Sequence, residues 1–160
     1  MAPSPAGHVR SRRLAELLLA SQVALAGCGT ISSSPPPATP TNFPGLDGRL
    51  NAAGIKLSDW VSGDPGCADP ELAKTAIRFQ AKGLDQANPV TMYLYIFRNA
   101  DAFERNRATV PPCAAAFVTD PATFEQVEQS PYVIASQGPW APAFEAALRA
   151  TLAAAAGTGG

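Results

Sequence analysis

Alternation of apolar and polar side chains is clearest in the centre of the chain, between residues 76 and 97. In the run Val90-Thr-Met-Tyr-Leu-Tyr-Ile-Phe97, aliphatic residues alternate with a row of mainly aromatic ones. Residues 76–82 alternate as well, although residues 71–82 also have the propensity of a helix. A period of two favours strands, and the turn-forming residues 83–89 between them predict an antiparallel hairpin.

Segments with apolar residues at helical spacing precede and follow this hairpin. Apolar residues recur every three or four positions from Leu46 to Ala53, and Gly54 follows them, which predicts a short helix. Asn99 or Asp101 is positioned to begin a helix that reaches about residue 107. From Trp140 to Leu152 apolar residues recur every four positions and predict a longer helix.

The remaining strands are predicted at residues 55–61, 124–129 and 132–137, and the last two form a second hairpin around Ser130-Pro131. The element order αβββαββα predicts an α+β fold: an antiparallel sheet of about five strands with helices on one face. We expect one domain over residues 43–156, followed by a disordered tail at residues 157–160.

The aromatic row is the candidate binding site. If helices cover only one face of the sheet, Tyr93, Tyr95 and Phe97 remain on the other face. A partly exposed aromatic patch marks an interaction site, so we expect these residues to contact a ligand or partner. The alternative is that the row packs beneath the loop around Cys67 or beneath the linker before the domain.

The N-terminal 27 residues have the order of a secretory signal peptide. Basic residues at positions 10, 12 and 13 precede a short apolar run at residues 17–26, which is too short to span a bilayer. Leu25-Ala26-Gly27-Cys28 resembles the lipobox of bacterial lipoproteins. The resemblance implies cleavage after Gly27, a diacylglyceryl thioether on Cys28, and anchoring in the cell membrane or outer membrane with the domain outside the cytoplasm.

Processing at Cys28 changes the remaining composition. Residues 28–42 form a Ser/Thr/Pro-rich linker that has too few apolar side chains to fold and holds the domain away from the membrane. Cleavage also removes His8, the only histidine of the chain. Cys67 and Cys113 then remain as a pair in a compartment that permits disulfides, and we expect them to form one.

The residue types exclude several kinds of chemistry. Without histidine, Ser-His-Asp and Cys-His sites cannot form, and two cysteines alone do not supply a zinc site. Glycine-rich nucleotide-binding motifs are absent from the sequence, so no cofactor or metal is expected. The acidic cluster of Asp64, Asp69 and Glu71 fits turns and helix caps and lacks the spacing of a calcium loop. The formal net charge of −1 gives no general attraction to nucleic acid.

These observations predict a lipid-anchored, non-enzymatic binding module. The order helix, Ala53-Gly54-Ile55, hairpin, helix, hairpin, helix resembles that of small uncharacterised bacterial envelope lipoproteins. Besides the membrane reached through Cys28, candidate partners are another envelope protein, a lipid or a glycan. Two alternatives stay open: a purely structural accessory subunit of an envelope complex, and a hydrolase that works without histidine.

Overall fold

The structure, a computed structural model, describes residues 42–157. The predicted signal peptide (residues 1–27), the lipidation residue Cys28, the linker up to residue 41 and the tail from residue 158 onward lie outside the described residues.

Five strands and five α-helices make up the described domain. The strands are β1 (Lys56–Ser62), β2 (Ala76–Gly83), β3 (Gln86–Ile96), β4 (Phe124–Gln129) and β5 (Tyr132–Gln137). The helices are α1 (Phe43–Ala52), α2 (Pro70–Ala73), α3 (Ala100–Asn106), α4 (Val110–Ala114) and α5 (Pro142–Ala156). Short 3-10 turns at Arg107–Thr109 and Pro121–Thr123 connect α3 to α4 and lead into β4.

The strands form one antiparallel sheet in the order β1-β2-β3-β5-β4, which confirms the predicted α+β fold. The segment that fitted either helix or strand is divided between the two. Asp69 accepts hydrogen bonds from the backbone N–H groups of Glu71 and Leu72 and caps α2. The alternating residues that follow form β2, so periodicity outweighs helix propensity there.

One face of the sheet, here called the aliphatic face, packs against α1 and α5. Met92, Leu94 and Ile96 of β3 lie in the same buried cluster as Leu50 of α1 and Leu148 of α5. The four-residue spacing predicted for α5 is therefore its buried stripe, with Phe144, Leu148 and Leu152 all inward. Trp140 is also buried but precedes the helix.

The opposite face, here called the aromatic face, is covered by α2, α3 and α4. Helices therefore lie on both faces of the sheet, whereas the sequence predicted them on one face only. Asn99 caps α3 through its side chain, which accepts a hydrogen bond from the Ala102 N–H. Pro111 and Pro112 occupy the first turn of α4. Backbone N–H groups in a first turn have no intrahelical acceptor, so the N–H that proline lacks costs the helix no hydrogen bond. The two prolines therefore lie within α4, which begins at Val110.

Candidate functional site

The predicted aromatic row lies on one face of the sheet but is not open. Tyr93, Tyr95 and Phe97 are 8%, 0% and 2% exposed, respectively. Phe97 packs edge-on against Phe103 of α3, with ring centroids 6.0 Å apart. The row is therefore not an open surface: apolar side chains of α3 and α4 bury it, and it packs beneath the loop around Cys67, as the alternative interpretation expected.

Tyr95 is a structural residue of this core. Its hydroxyl donates a hydrogen bond of 2.7 Å to the carbonyl oxygen of Pro65, in the loop between β1 and α2. Burial raises the pKa of Tyr95 well above its ordinary value, followed by smaller contributions from Tyr93 and nearby carboxylates. The phenol therefore stays protonated at neutral pH and holds the loop in place.

The predicted disulfide between Cys67 and Cys113 is present, with the two Cα atoms 5.4 Å apart. It joins the loop before α2 to α4, two segments separated by 46 positions in the sequence. The bridge thus fixes the helical cover to the edge of the sheet where the loop lies.

The same loop supports a stacked pair of aromatic rings. Tyr93 stacks on Phe117 with ring centroids 4.0 Å apart and an interplanar angle of 23°. Gly66, which has a φ of +79°, packs directly against both rings: a Cβ atom there would lie 2.4 Å from Phe117 and 2.7 Å from Tyr93. Only glycine satisfies both the left-handed backbone and this close approach.

The helical cover ends at this stacked pair, and the sheet surface beyond it becomes polar. Thr91 is two residues before Tyr93 on β3, and Gln80 of β2 is paired with it. Gln137 is two residues after Ala135, the partner of Tyr93 on β5. Side chains two apart on a strand share a face, so the aromatic face has an apolar covered half and a polar half.

A groove of about 460 Å³ lies at the boundary between the two halves. Its lining includes Thr91, Tyr93, Phe117, Thr119, Gln137 and Gly138. This size is within the range of small-molecule sites, which combine apolar walls with a few directional polar groups.

Gln137 holds the loop that forms one wall of the groove. Its Oε1 atom accepts a hydrogen bond of 2.8 Å from the Thr119 N–H, and its Nε2 group donates to Thr123 and to the Asp120 carbonyl oxygen. With both ends of the amide engaged, Gln137 positions the wall and has little capacity left for a ligand.

Two hydroxyl groups in the groove keep hydrogen-bonding capacity. Thr91 Oγ1 accepts a 2.8 Å bond from Gln80 Nε2, so its own hydrogen is available for donation. Tyr93 is stacked on Phe117, but its hydroxyl has no hydrogen-bond partner among residues 42–157. Burial raises the pKa of Tyr93, with a smaller upward contribution from Asp64, so its hydroxyl is neutral near pH 7.

The charges nearest to the stacked pair neutralise one another. Arg78, the β2 partner of Tyr93, forms a 2.6 Å ion pair with Asp64, whose other carboxylate oxygen accepts the Gly66 N–H. Within residues 42–157, no group of three or more potential metal ligands comes together. The groove itself therefore presents aromatic surface and neutral hydroxyls.

The sequence prediction identified Tyr93 but missed Phe117, Thr119 and Gln137. Phe117 lies in a short segment without measurable periodicity, and its contact with Tyr93 joins two segments that are distant in the sequence. One local signal was present: on the face that carries Tyr93, β2 is polar from Arg78 to Gln80 and β3 is polar at Thr91.

Comparison with protein-family models, with curated proteins and with solved structures finds no match for this chain. Among the described helices, none has the length and apolar character needed to span a bilayer.

Proposed function

We propose that the chain is a lipid-anchored extracytoplasmic protein whose folded domain binds a ligand in the groove beside Tyr93 and Phe117, without catalysing a reaction. The observation that carries the proposal is the groove itself: a concave site with an aromatic wall and free neutral hydroxyls, next to the buried core of the aromatic face. It replaces the open aromatic row as the candidate binding surface.

The proposed extracytoplasmic, membrane-anchored localisation rests on Leu25-Ala26-Gly27-Cys28 and the segment before it. The Cys67–Cys113 disulfide supports this localisation, because disulfides form and persist mainly in oxidising compartments outside the cytoplasm. Two acyl chains on Cys28 suffice for stable membrane attachment.

An accessory-subunit role is the second candidate, and it is favoured by an exposed apolar pair on the edge strand β1. Trp60 is 56% exposed and Val61 is 42% exposed. However, β1 is irregular between Ser58 and Val61, and Asp59 has a φ of +52°. Bulges of this kind protect sheet edges from pairing with other chains, so the groove is the stronger candidate.

The anchor is tested by comparing the full chain with its Cys28→Ser variant. We expect the wild-type protein to fractionate with membranes and to show the mass of a processed, acylated chain. The variant should keep its signal segment and lack the lipid mass. Equal membrane association and equal unacylated mass for both proteins would exclude the proposed anchor.

Ligand binding is tested by filling the groove with a long side chain. Thr119 is exposed and lines the groove, so Thr119→Arg should block it, whereas Ala146→Arg adds the same charge on the exposed surface of α5. We expect wild-type protein and the Ala146 variant to be retained on purified, protein-free cell-wall preparations, and the Thr119 variant to lose that retention. Equal retention of both arginine variants would refute binding in the groove.

A further inference from the structure

We propose that the ligand of this groove is a neutral saccharide unit of an envelope glycan. This inference rests on the proposed function, because it assigns a chemical class to the ligand of the same groove. It follows from the charge, surface and hydrogen-bonding capacity of the groove, taken in turn.

The charge around the groove argues against ionic ligands. Arg78 is already paired with Asp64 at 2.6 Å, so a phosphate or carboxylate would find no unpaired cation beside Tyr93. Glu125 lies behind Gly138, where its Oε1 atom accepts the Trp140 N–H at 3.0 Å and its Oε2 atom is buried. Asp64 is already paired, and Glu125, whose Oε2 atom has no hydrogen-bond partner, lies on the aliphatic face, so neither carboxylate faces a cationic ligand in the groove.

The surface of the groove argues against a purely apolar ligand. A fatty chain laid across this part of the sheet would remove Thr91 and its partner Gln80 from water without replacing their hydrogen bonds to solvent, which costs free energy. A saccharide ring has an apolar C–H face and polar edges. Its C–H face fits against the partly buried Phe117 ring, and its hydroxyls satisfy the polar sheet residues.

The free hydroxyls of Tyr93 and Thr91 complete the match. Each hydroxyl both donates and accepts hydrogen bonds, as sugar hydroxyls do, so bonds can form in either direction. The two groups are held in place before any ligand arrives: Tyr93 is stacked on Phe117, and Thr91 accepts the hydrogen bond from Gln80. Such preorganisation lowers the entropy lost on binding.

The test uses two substitutions that each remove one hydroxyl and keep the packing. Tyr93→Phe preserves the ring stack, and Thr91→Val preserves the branched shape. The full chain, purified in detergent, is titrated with neutral tetrasaccharides of N-acetylglucosamine and of glucose. We expect saturable binding of at least one tetrasaccharide, weakened about three- to tenfold by each substitution, since a neutral hydrogen bond contributes about that factor.

Matched controls separate lost hydrogen bonds from altered folding. Thr91→Ser restores a hydroxyl and should bind within about twofold of wild type. Tyr132→Phe removes a phenol that lies in the other core cluster and should leave saccharide affinity unchanged. Equal thermal unfolding midpoints for wild type and the two test variants would show that the fold is intact.

Three results would overturn the saccharide assignment. They are saturable binding that neither Tyr93→Phe nor Thr91→Val weakens, the absence of binding to every neutral tetrasaccharide at millimolar concentration, and preferential binding of a phosphate-rich polymer or a peptide. If retention on envelope material is still lost in Thr119→Arg, the proposed function survives such a result. If both arginine variants are retained equally, the proposed function fails as well.

Discussion

The two faces of the sheet are stabilised in different ways. The aliphatic face is covered by α1 and α5, whose apolar residues repeat at helical spacing and bury the side chains of β3 directly. The aromatic face is covered by the short helices α2, α3 and α4, which are held by the Cys67–Cys113 bridge and the Tyr95–Pro65 hydrogen bond. One face depends on repeated local pattern, and the other depends on a few contacts between distant segments.

The difference between the two helical covers explains the position of the groove. Helices of four to seven residues cover only part of a sheet face, so the aromatic face changes from a closed core to polar surface at Tyr93. The longer α5 covers the aliphatic face from Phe144 to Ala155. A candidate binding site therefore lies on the face whose cover is assembled from short segments.

The largest expected effect comes from removing the disulfide. Replacing both Cys67 and Cys113 by alanine should lower the free energy of unfolding by about 4 kcal/mol, because a bridge across 46 positions restricts the unfolded chain. Urea unfolding of the full chain measures the loss. Amide hydrogen exchange should accelerate in α3 and α4 more than in α5.

A core truncation on the other face gives the comparison. Leu148→Ala should cost about 2–5 kcal/mol through its cavity and lost burial. Because the two sites lie on opposite faces, combining this substitution with disulfide removal should give additive losses to within about 0.5 kcal/mol. A strongly non-additive result, or equal acceleration of exchange on both faces, would contradict their independence.

The second prediction uses two glycines. Gly66→Ala should destabilise the domain by about 2–3 kcal/mol, since the new Cβ would meet Phe117 and Tyr93 in a left-handed backbone conformation. Gly48→Ala in α1 meets nothing within 4 Å and should stabilise it by about 0.5–1 kcal/mol. Thermal unfolding measures both changes, and shifts of the same sign would show that the packing at Gly66 is not restrictive.

The sequence predicted the sheet well because its strands carry their signal locally. Alternation located β2 and β3, and the polar residue Asn99 marked the start of α3. The cover of the aromatic face could not be predicted in the same way. Helices of four, seven and five residues are too short to show a helical period, so their apolar sides were not visible.

The candidate site was accordingly predicted only in part. Tyr93 was identified from β3, and the bridge was identified from cysteine count and compartment. Phe117 stacks on Tyr93 in an arrangement that also involves Gly66 and Gln137, which come from segments distant in the sequence. No local pattern encodes that arrangement, whereas the change from apolar to polar residues along β3 did indicate where the cover ends.

The third prediction compares two tyrosines, one on each face. Tyr95→Phe removes the donor to Pro65 and leaves that carbonyl oxygen buried without its partner, so we expect a loss of about 1–2 kcal/mol. Tyr132 lies in the aliphatic-face cluster, and its hydroxyl has no hydrogen-bond partner within residues 42–157. Tyr132→Phe should therefore change stability by less than about 0.5 kcal/mol in chemical denaturation. Equal losses for the two variants would remove the proposed role of the Pro65 contact.

The smallest expected effect is a difference in how the stability of the two faces depends on pH. Asp85, at the turn between β2 and β3, accepts hydrogen bonds from the Ala143 and Phe144 N–H groups at the start of α5. The bond from Ala143, followed by that from Phe144, lowers the pKa of Asp85 below its ordinary value despite an opposing desolvation contribution. A carboxyl whose pKa is lowered by folding contributes stability above its unfolded pKa, and that contribution is lost as pH falls through the folded value.

Asp85→Asn should therefore lower the unfolding midpoint slightly near neutral pH, and the difference from wild type should shrink as the pH falls below about 4. The buried phenols of the aromatic face respond in the opposite direction. Because burial raises the pKa of Tyr95, its contribution is complete below its unfolded pKa of about 10 and is lost as pH rises. Thermal unfolding across the pH range measures both contributions. Asp85→Asn should reduce only the loss of stability in acid, and Tyr95→Phe should reduce only the loss of stability in alkali. An Asp85→Asn difference that stays constant in acid would mean that the carboxylate does not stabilise the start of α5 through its charge.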